Sequence, residues 1–189
     1  MYTNPDIESS YHQYDIGRTI YDQVIKYKPN TIVEFGCLYG YSTVAMGLAL
    51  KELGRGKIIC YDLWDAYPYK HSNLETTKQN IVKYGVEDFV EFRQADYYEW
   101  LKNPEPFDLM HLDISNDGDT IVKTYEALKG SIILFEGGSL GRDSVEWMKK
   151  YNKVPINSIR HLVPYGVLNV DFPSLSIIHP SLQSLQNRD

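Results

Sequence analysis

Five carboxylates fall at or next to the ends of five short apolar runs. Glu34 lies near the end of Ile32–Phe35, Asp62 closes Lys57–Asp62, Asp96 follows Phe89–Gln94, Asp113 closes Phe107–Asp113, and Glu136 closes Ser131–Glu136. If these runs are parallel strands, the acids gather at one sheet edge, where they repel unless a ligand, a cation or hydrogen-bond donors share the space. The first run continues through Gly36-Cys37-Leu38-Tyr39-Gly40 into Tyr41-Ser42-Thr43 and an apolar segment of helical spacing. That order reads as strand, tight turn and helix start, so exposed backbone N–H groups and the positive end of a helix dipole meet at one place. Glycines there remove the Cβ atoms that would keep a ligand from the backbone. The chemistry this suits is the holding of a small, nucleotide-like molecule.

Spacing sharpens that reading. Asp62 follows Gly40 by about 22 residues, close to the separation at which an acid accepts hydrogen bonds from ribose hydroxyls in nucleotide-binding folds; otherwise it is a strand-end acid that caps a turn. Asp96 has two readings, acceptor for an exocyclic amine or N-cap of a short helix over Tyr97–Leu101. The Gly-x-x-x-Gly pattern departs from Gly-x-Gly-x-x-Gly, which counts against a dinucleotide and its pyrophosphate.

Composition bounds the alternatives. The chain has 189 residues, 43% apolar and 23% charged, and a net charge of −6. That length suits one domain, here 1–189 without an internal linker. The negative balance argues against a nucleic-acid or membrane-surface partner, since phosphate needs a basic face. No apolar run reaches the roughly 20 residues of a membrane span, and the polar start is not a signal peptide. Cys37 and Cys60 form no paired framework, which fits reduced thiols and a cytoplasmic setting. The 16 tyrosines suit an aromatic-lined pocket or are compositional drift.

The elements that must position these residues follow from periodicity. Helices are expected over Tyr14–Tyr27, Ser42–Leu53, Asn73–Tyr84, Asp119–Leu128 and Arg142–Tyr151, most of them closed by glycine or proline signals. Strands are expected at the five runs named above, with strand-like stretches around Pro164–Gly166 and Asp171–Pro173 forming a terminal hairpin. Alternating strands and helices give an α/β fold, a doubly wound, Rossmann-like, mostly parallel seven-stranded sheet with helices on both faces and a C-terminal antiparallel hairpin that supplies an antiparallel edge strand. Residues 1–28 read as an N-terminal helical lid, and 181–189 as a frayed tail.

Val33-Glu-Phe-Gly-Cys-Leu-Tyr-Gly-Tyr-Ser-Thr43 resembles the first motif of class I S-adenosylmethionine-dependent methyltransferases, closest to the small catechol-type O-methyltransferases. The resemblance continues through Asp62, Gln94-Ala95-Asp96, Phe107-Asp108 to Asp113, and Gly130 to Glu136. It implies S-adenosylmethionine as cofactor, held by Glu34, Gly36, Cys37, Gly40 and Ser42 at the methionine part, Asp62 at the ribose, Asp96 at the adenine and Asp113 beside the sulfonium methyl. The implied partners are a small-molecule methyl acceptor and a second copy of the chain in a homodimer. Catechol-type enzymes bind a divalent cation with an acid at the position of Asp113 and an Asp-Asn pair after the fifth strand. Here that pair is Glu136-Gly137, and Asn116 matches the position of their lysine base, so no metal site of that kind is expected.

Methyl transfer from a sulfonium is an in-line displacement in which the protein aligns reactants and removes a proton from the acceptor. Asp113 and His111 are the candidate bases, two positions apart and so on one face of a strand; a strand histidine is otherwise a satisfied core residue. His71 and the aromatic loop Trp64–His71 are candidates for lining the ligand's edge or for plain packing. Arg142 reads as an anion-binding residue or a solvated helix start, the latter being favoured. The competing functions are a nicotinamide-dependent oxidoreductase and a non-catalytic nucleotide-binding module.

Overall fold

The computed structural model describes residues 2–182; most of the expected frayed tail, 183–189, lies outside the described residues. The β-branched run before the first glycine becomes β1 (Thr31–Phe35); β2 (Lys57–Asp62) pairs with it in parallel, and β3 (Val90–Gln94) pairs in parallel with β2. β4 (Leu109–Leu112) and β5 (Ile132–Glu136) follow, then β6 (Gly166–Asn169) and β7 (Leu175–Ile178). The seven-stranded sheet has the order β3-β2-β1-β4-β5-β7-β6. The order runs outward from β1 to β3 and then resumes on the other side of β1, so β1 borders the switch point where such sheets bind ligands. The chain falls into two compact units, residues 1–111 and 112–189.

In the first unit, α1 (Ile16–Tyr27) buries one stripe, Ile16, Ile20, Tyr21 and Val24, as its period requires. α2 (Tyr41–Leu53) is buried almost all round, from Tyr41 to Leu50, and packs against α1 and β2. Such a helix can only be central. Tyr2, Ile7 and Tyr11 are buried as well, so the N-terminal segment is packed structure in its own right. α3 (Leu74–Lys83) starts on Asn73, whose side chain accepts from the Thr76 amide, and α4 (Tyr97–Trp100) starts on Asp96.

In the second unit, α5 (Gly118–Ala127) is capped by Asp117. The single helix expected over Arg142–Tyr151 is two, α6 (Leu140–Asp143) and α7 (Glu146–Lys150). Val145 between them is extended, and the Asp143 carboxylate leaves the helix pattern to accept from the Ile156 and Asn157 amides at 2.9 and 2.7 Å. The hairpin also differs in detail. Residues 171–173 form the connecting turn, with a cis Phe172–Pro173 bond, and β7 pairs antiparallel with both β5 and β6. The antiparallel strand is therefore interior, and β6 is the edge. Burial explains this: every residue of β7 is buried, whereas β6 is half-buried throughout.

Candidate functional site

The Gly36–Gly40 turn is held in shape by acids and by α3. Gly36 and Gly40 have φ of 87° and 88°, a left-handed conformation that favours glycine. A Cβ on Gly40 would also stand 3.2 Å from Thr77 and 3.3 Å from Ile81. Leu38 between them is left-handed too, at φ 46°, which costs about 1–2 kcal/mol in a residue bearing a Cβ. Its partners hold it there. The Leu38 and Cys37 amides donate to Asp62 Oδ2 at 3.2 and 2.8 Å, Thr77 Oγ1 donates to the Leu38 carbonyl at 2.6 Å, and Asn80 Nδ2 to the Tyr39 carbonyl at 2.9 Å.

Asp62 is thus bound directly to the turn that the sequence places upstream of it. Its Oδ1 accepts from the Trp64 amide at 3.1 Å. A carboxylate has about four lone-pair positions; with three backbone donors in place, one on Oδ1 is left for a ligand hydroxyl. Asp96 is exposed, and its Oδ1 caps α4 by accepting from the Tyr98 and Glu99 amides at 2.9 and 3.1 Å. In the adjoining loop Trp64 is buried against Phe92, while Tyr69 is exposed. His71 Nδ1 lies 2.6 Å from the Tyr69 carbonyl.

Glu34 is fully buried. Oε1 accepts from Ser42 Oγ at 2.5 Å and lies 3.0 Å from His111 Nδ1, while Oε2 accepts from Thr43 Oγ1 at 2.5 Å and Cys60 Sγ at 3.2 Å. Four donors fill its lone pairs, so Glu34 and Ser42 brace the start of α2 against β1 and turn inward rather than toward a ligand. Burial would lift the Glu34 carboxyl, but His111, Ser42 and Thr43 together hold it below the ordinary range. The carboxylate also orients the imidazole: a neutral ring that donates Nδ1–H to Glu34 has its lone pair on Nε2. His111 is fully buried, and its Nε2 has no partner among the described residues. Tyr11 stands edge-on to the ring at 6.0 Å. Cys37 and Cys60 converge with Glu34 within 4.8 Å, but burial raises both thiols, Cys60 to about 11. Protonated thiols and a saturated carboxylate make a poor cation site.

The second unit holds another buried acid. Glu136 meets Arg142 in a two-pronged ion pair, Nε to Oε1 at 2.5 Å and Nη2 to Oε2 at 3.1 Å. Arg142 is 6% exposed, so the expected solvated helix start is wrong; Ser139 caps α6, and its short turn swings the guanidinium inward. Asn116 is fully buried and donates to the Leu112 and Glu136 carbonyls, both at 3.0 Å. Burial lifts the Glu136 carboxyl to about 8; Arg142 opposes that shift and Asp113 adds to it. Gly137 has φ 112°, and a Cβ there would lie 2.6 Å from Ile156. An asparagine at this position would be strained and would clash, so the departure from the Asp-Asn pair is built into the backbone.

Sequence reasoning did not single out Thr77 or Asn80, and for Arg142 it favoured a solvated helix start over anion binding. For the first two, only their placement three apart on one face of α3 hints that they reach the same turn.

A profile of the family described as methyltransferase domain matches residues 33–140. No curated protein matches the chain significantly. Among solved structures, cofactor-bound Rv0187 from MTB aligns with a TM-score of 0.64 and 17% identity, over 93% of this chain and 83% of the other. SAH-bound PaMTH1, a methyltransferase of Podospora anserina, gives 0.61 and 22% over 91% and 79%. The O-methyltransferase TomG of Streptomyces achromogenes, in complex with SAM, gives 0.60 and 13% over 90% and 86%. At such identities these likenesses establish the fold. The family match covers more than half of the sequence, and the chain belongs to the methyltransferase-domain family.

Proposed function

We propose that this protein transfers a methyl group from S-adenosylmethionine to an oxygen of a small-molecule acceptor. The observation that carries the reading is the bond between Asp62 and the Gly36–Gly40 turn. It sets one open carboxylate lone pair beside a turn whose glycines let a ligand approach the backbone, a donor and acceptor set that suits an adenosyl ribose. The solved structures described as SAM- or SAH-bound support the same cofactor.

When bound, S-adenosylmethionine supplies a sulfonium-activated methyl group. Gly36, Cys37 and Gly40 offer it backbone, Asp62 accepts from a ribose hydroxyl, and Asp96, by its resemblance position, accepts from the adenine amine. Glu34 and Ser42 act at one remove, as positioning residues that hold α2 and His111. Asp113 and His111 are the candidate bases. For His111 the support is its tautomer: Glu34 takes Nδ1–H, so Nε2 can receive the acceptor's proton. Among the described residues no helix is long and apolar enough to cross a membrane. We place the enzyme in the cytoplasm as a homodimer without a nucleic-acid partner, an assembly that light scattering checks directly.

Calorimetric titration with S-adenosylmethionine, S-adenosylhomocysteine and NAD tests the reading. Saturable binding of the first two, with none of NAD, is expected. Binding of NAD alone would replace it with the oxidoreductase.

A further inference from the structure

The Arg142 cluster of the second unit contains two buried polar atoms that no other described residue satisfies. Arg142 spends Nε and Nη2 on Glu136, and Nη2 also points to the Asn116 carbonyl at 3.5 Å. Its remaining nitrogen, Nη1, is buried with no partner among the described residues. Asn116 spends both amide hydrogens on the Leu112 and Glu136 carbonyls, and its Oδ1 is likewise buried with no partner. Leaving one such group unpaired costs about 1–3 kcal/mol, more when it is charged. Two orphans, a cationic donor and a neutral acceptor, are complementary to something beyond the described residues.

We propose that Arg142 and Asn116 form a ligand subsite, in which Nη1 donates to an anionic oxygen of a small molecule and Asn116 Oδ1 accepts from a hydroxyl or N–H next to that oxygen. The chemical class is a hydroxy acid with its hydroxyl adjacent to the carboxylate. Three further features fit. The guanidinium is locked by its two-pronged pair with Glu136, so the third nitrogen is aimed with little further loss of freedom. The half-buried Trp147 ring lies 5.1 Å from the Arg142 Cζ and gives an aromatic ligand a surface to lie on. Lys153 Nζ, 5.7 Å from the centre of the same ring, brings a second cation to the Trp147 face and is itself paired with Asp117 Oδ2 at 3.3 Å. The donor pattern also separates this subsite from a divalent-cation site: both Glu136 oxygens are held by the guanidinium, and Gly137 supplies no side-chain ligand. As the binding place of the methyl acceptor, the subsite rests on the methyl-transfer reading; as a hydroxy-acid site it stands without it.

The test is calorimetry on the full chain with salicylate, benzoate and salicylamide, each with and without saturating S-adenosylhomocysteine. Salicylate should bind saturably. Benzoate, which lacks the donor, and salicylamide, which lacks the charge, should each bind at least about tenfold more weakly. Arg142→Lys keeps a cation against Glu136 but removes the third nitrogen, and should weaken salicylate at least about tenfold. Equal affinities for the three compounds overturn the proposal. So does the absence of saturable salicylate binding, the result if water alone bridges the two atoms, or unchanged binding to folded Arg142→Lys. Should that variant not fold, the three-compound series on the wild-type chain decides alone. Loss of S-adenosylhomocysteine binding with salicylate binding intact would sink the methyl-transfer reading and leave this one standing.

Discussion

Glu34 and Glu136 are the same residue type in comparable places, at the carboxyl ends of β1 and β5, both buried, and their surroundings treat them in opposite ways. Glu34 is met by two hydroxyls, a thiol and an imidazole, which fill its lone pairs and hold its carboxyl low. Glu136 is met by one guanidinium and lies within the field of Asp113; its carboxyl is lifted to about 8. The first arrangement fills the acid's own lone pairs and serves to fix α2 and His111, whose Nε2 stays unpaired among the described residues. The second leaves Arg142 Nη1 and Asn116 Oδ1 unpaired among the described residues. Burial of an acid therefore does not itself mark a binding site. What distinguishes the two is which atoms stay unmet among the described residues: beside Glu34 a single ring nitrogen, His111 Nε2, and beside Glu136 a cationic donor together with a neutral acceptor.

Breaking the closed cluster should have the largest effect. Glu34→Ala removes one acceptor from four donors and leaves a buried histidine without its anchor. A loss of roughly 3–5 kcal/mol in unfolding free energy is expected, as for removing one member of a buried pair, read as a lowered urea midpoint. Linkage sharpens this. Because the folded Glu34 carboxyl lies below its ordinary value, its contribution is present above the unfolded pKa and is lost as pH falls through the folded one. The wild-type chain should weaken in acid below about pH 4.5, and Glu34→Gln should flatten that limb.

Arg142→Met tests the other cluster, and its effect should depend on pH in the opposite sense. A carboxyl raised to about 8 favours the folded state most below its unfolded pKa, and that contribution is lost as pH rises through the folded value. Without the guanidinium, Glu136 stays neutral at pH 6 but must be charged or held protonated at a cost at pH 9. The destabilisation should be about 1 kcal/mol at the lower pH and about 3 at the higher. Equal losses at both would mean that Glu136 is ionised throughout.

Much of this contrast was legible in the sequence, and the part that was not has a physical reason. The first five strands, the helices before Arg142 and the link between Asp62 and the Gly36–Gly40 turn follow from periodicity, glycine placement and spacing, which are local or fixed by crossover geometry. The N-cap role of Asp96 was visible as one of two readings. For Arg142 the favoured of two readings was the wrong one, because whether an arginine near a strand end faces water or the interior depends on where the chain turns, and the break at Val145 comes from bonds between Asp143 and residues 156–157. The position of β7 inside the sheet was likewise hidden: a hairpin's sequence does not say which of its strands joins the sheet first.

Asp62→Ala moves the comparison to the turn itself. It removes the acceptor of three backbone amides along with the one open lone pair, so the expected result is a loss of about 10–100-fold in S-adenosylhomocysteine affinity, the equivalent of a charge-assisted hydrogen bond or two. Calorimetry reads this directly. Asp62→Asn, which keeps an acceptor oxygen, should retain more of the affinity than the alanine variant. If both bind like wild type, the ribose is held elsewhere.

The smallest effect should come from Thr77→Val, which tests whether the turn is held by α3 as well as by acids. The substitution keeps the shape of a fully buried side chain and deletes only the hydroxyl that donates to the Leu38 carbonyl at 2.6 Å. That carbonyl belongs to a residue at φ 46°, a conformation the chain leaves readily once its partners loosen. A stability loss of about 1 kcal/mol is expected, the usual net worth of one hydrogen bond. The more telling readout is affinity. If the hydroxyl holds Leu38 in its binding shape, the variant must reorder the turn on binding, and S-adenosylhomocysteine should bind about three- to fivefold more weakly than it does to wild type, with the deficit appearing as a less favourable entropy. Should stability fall while affinity stays the same, the Asp62 bonds alone set the turn, and α3 is only its neighbour.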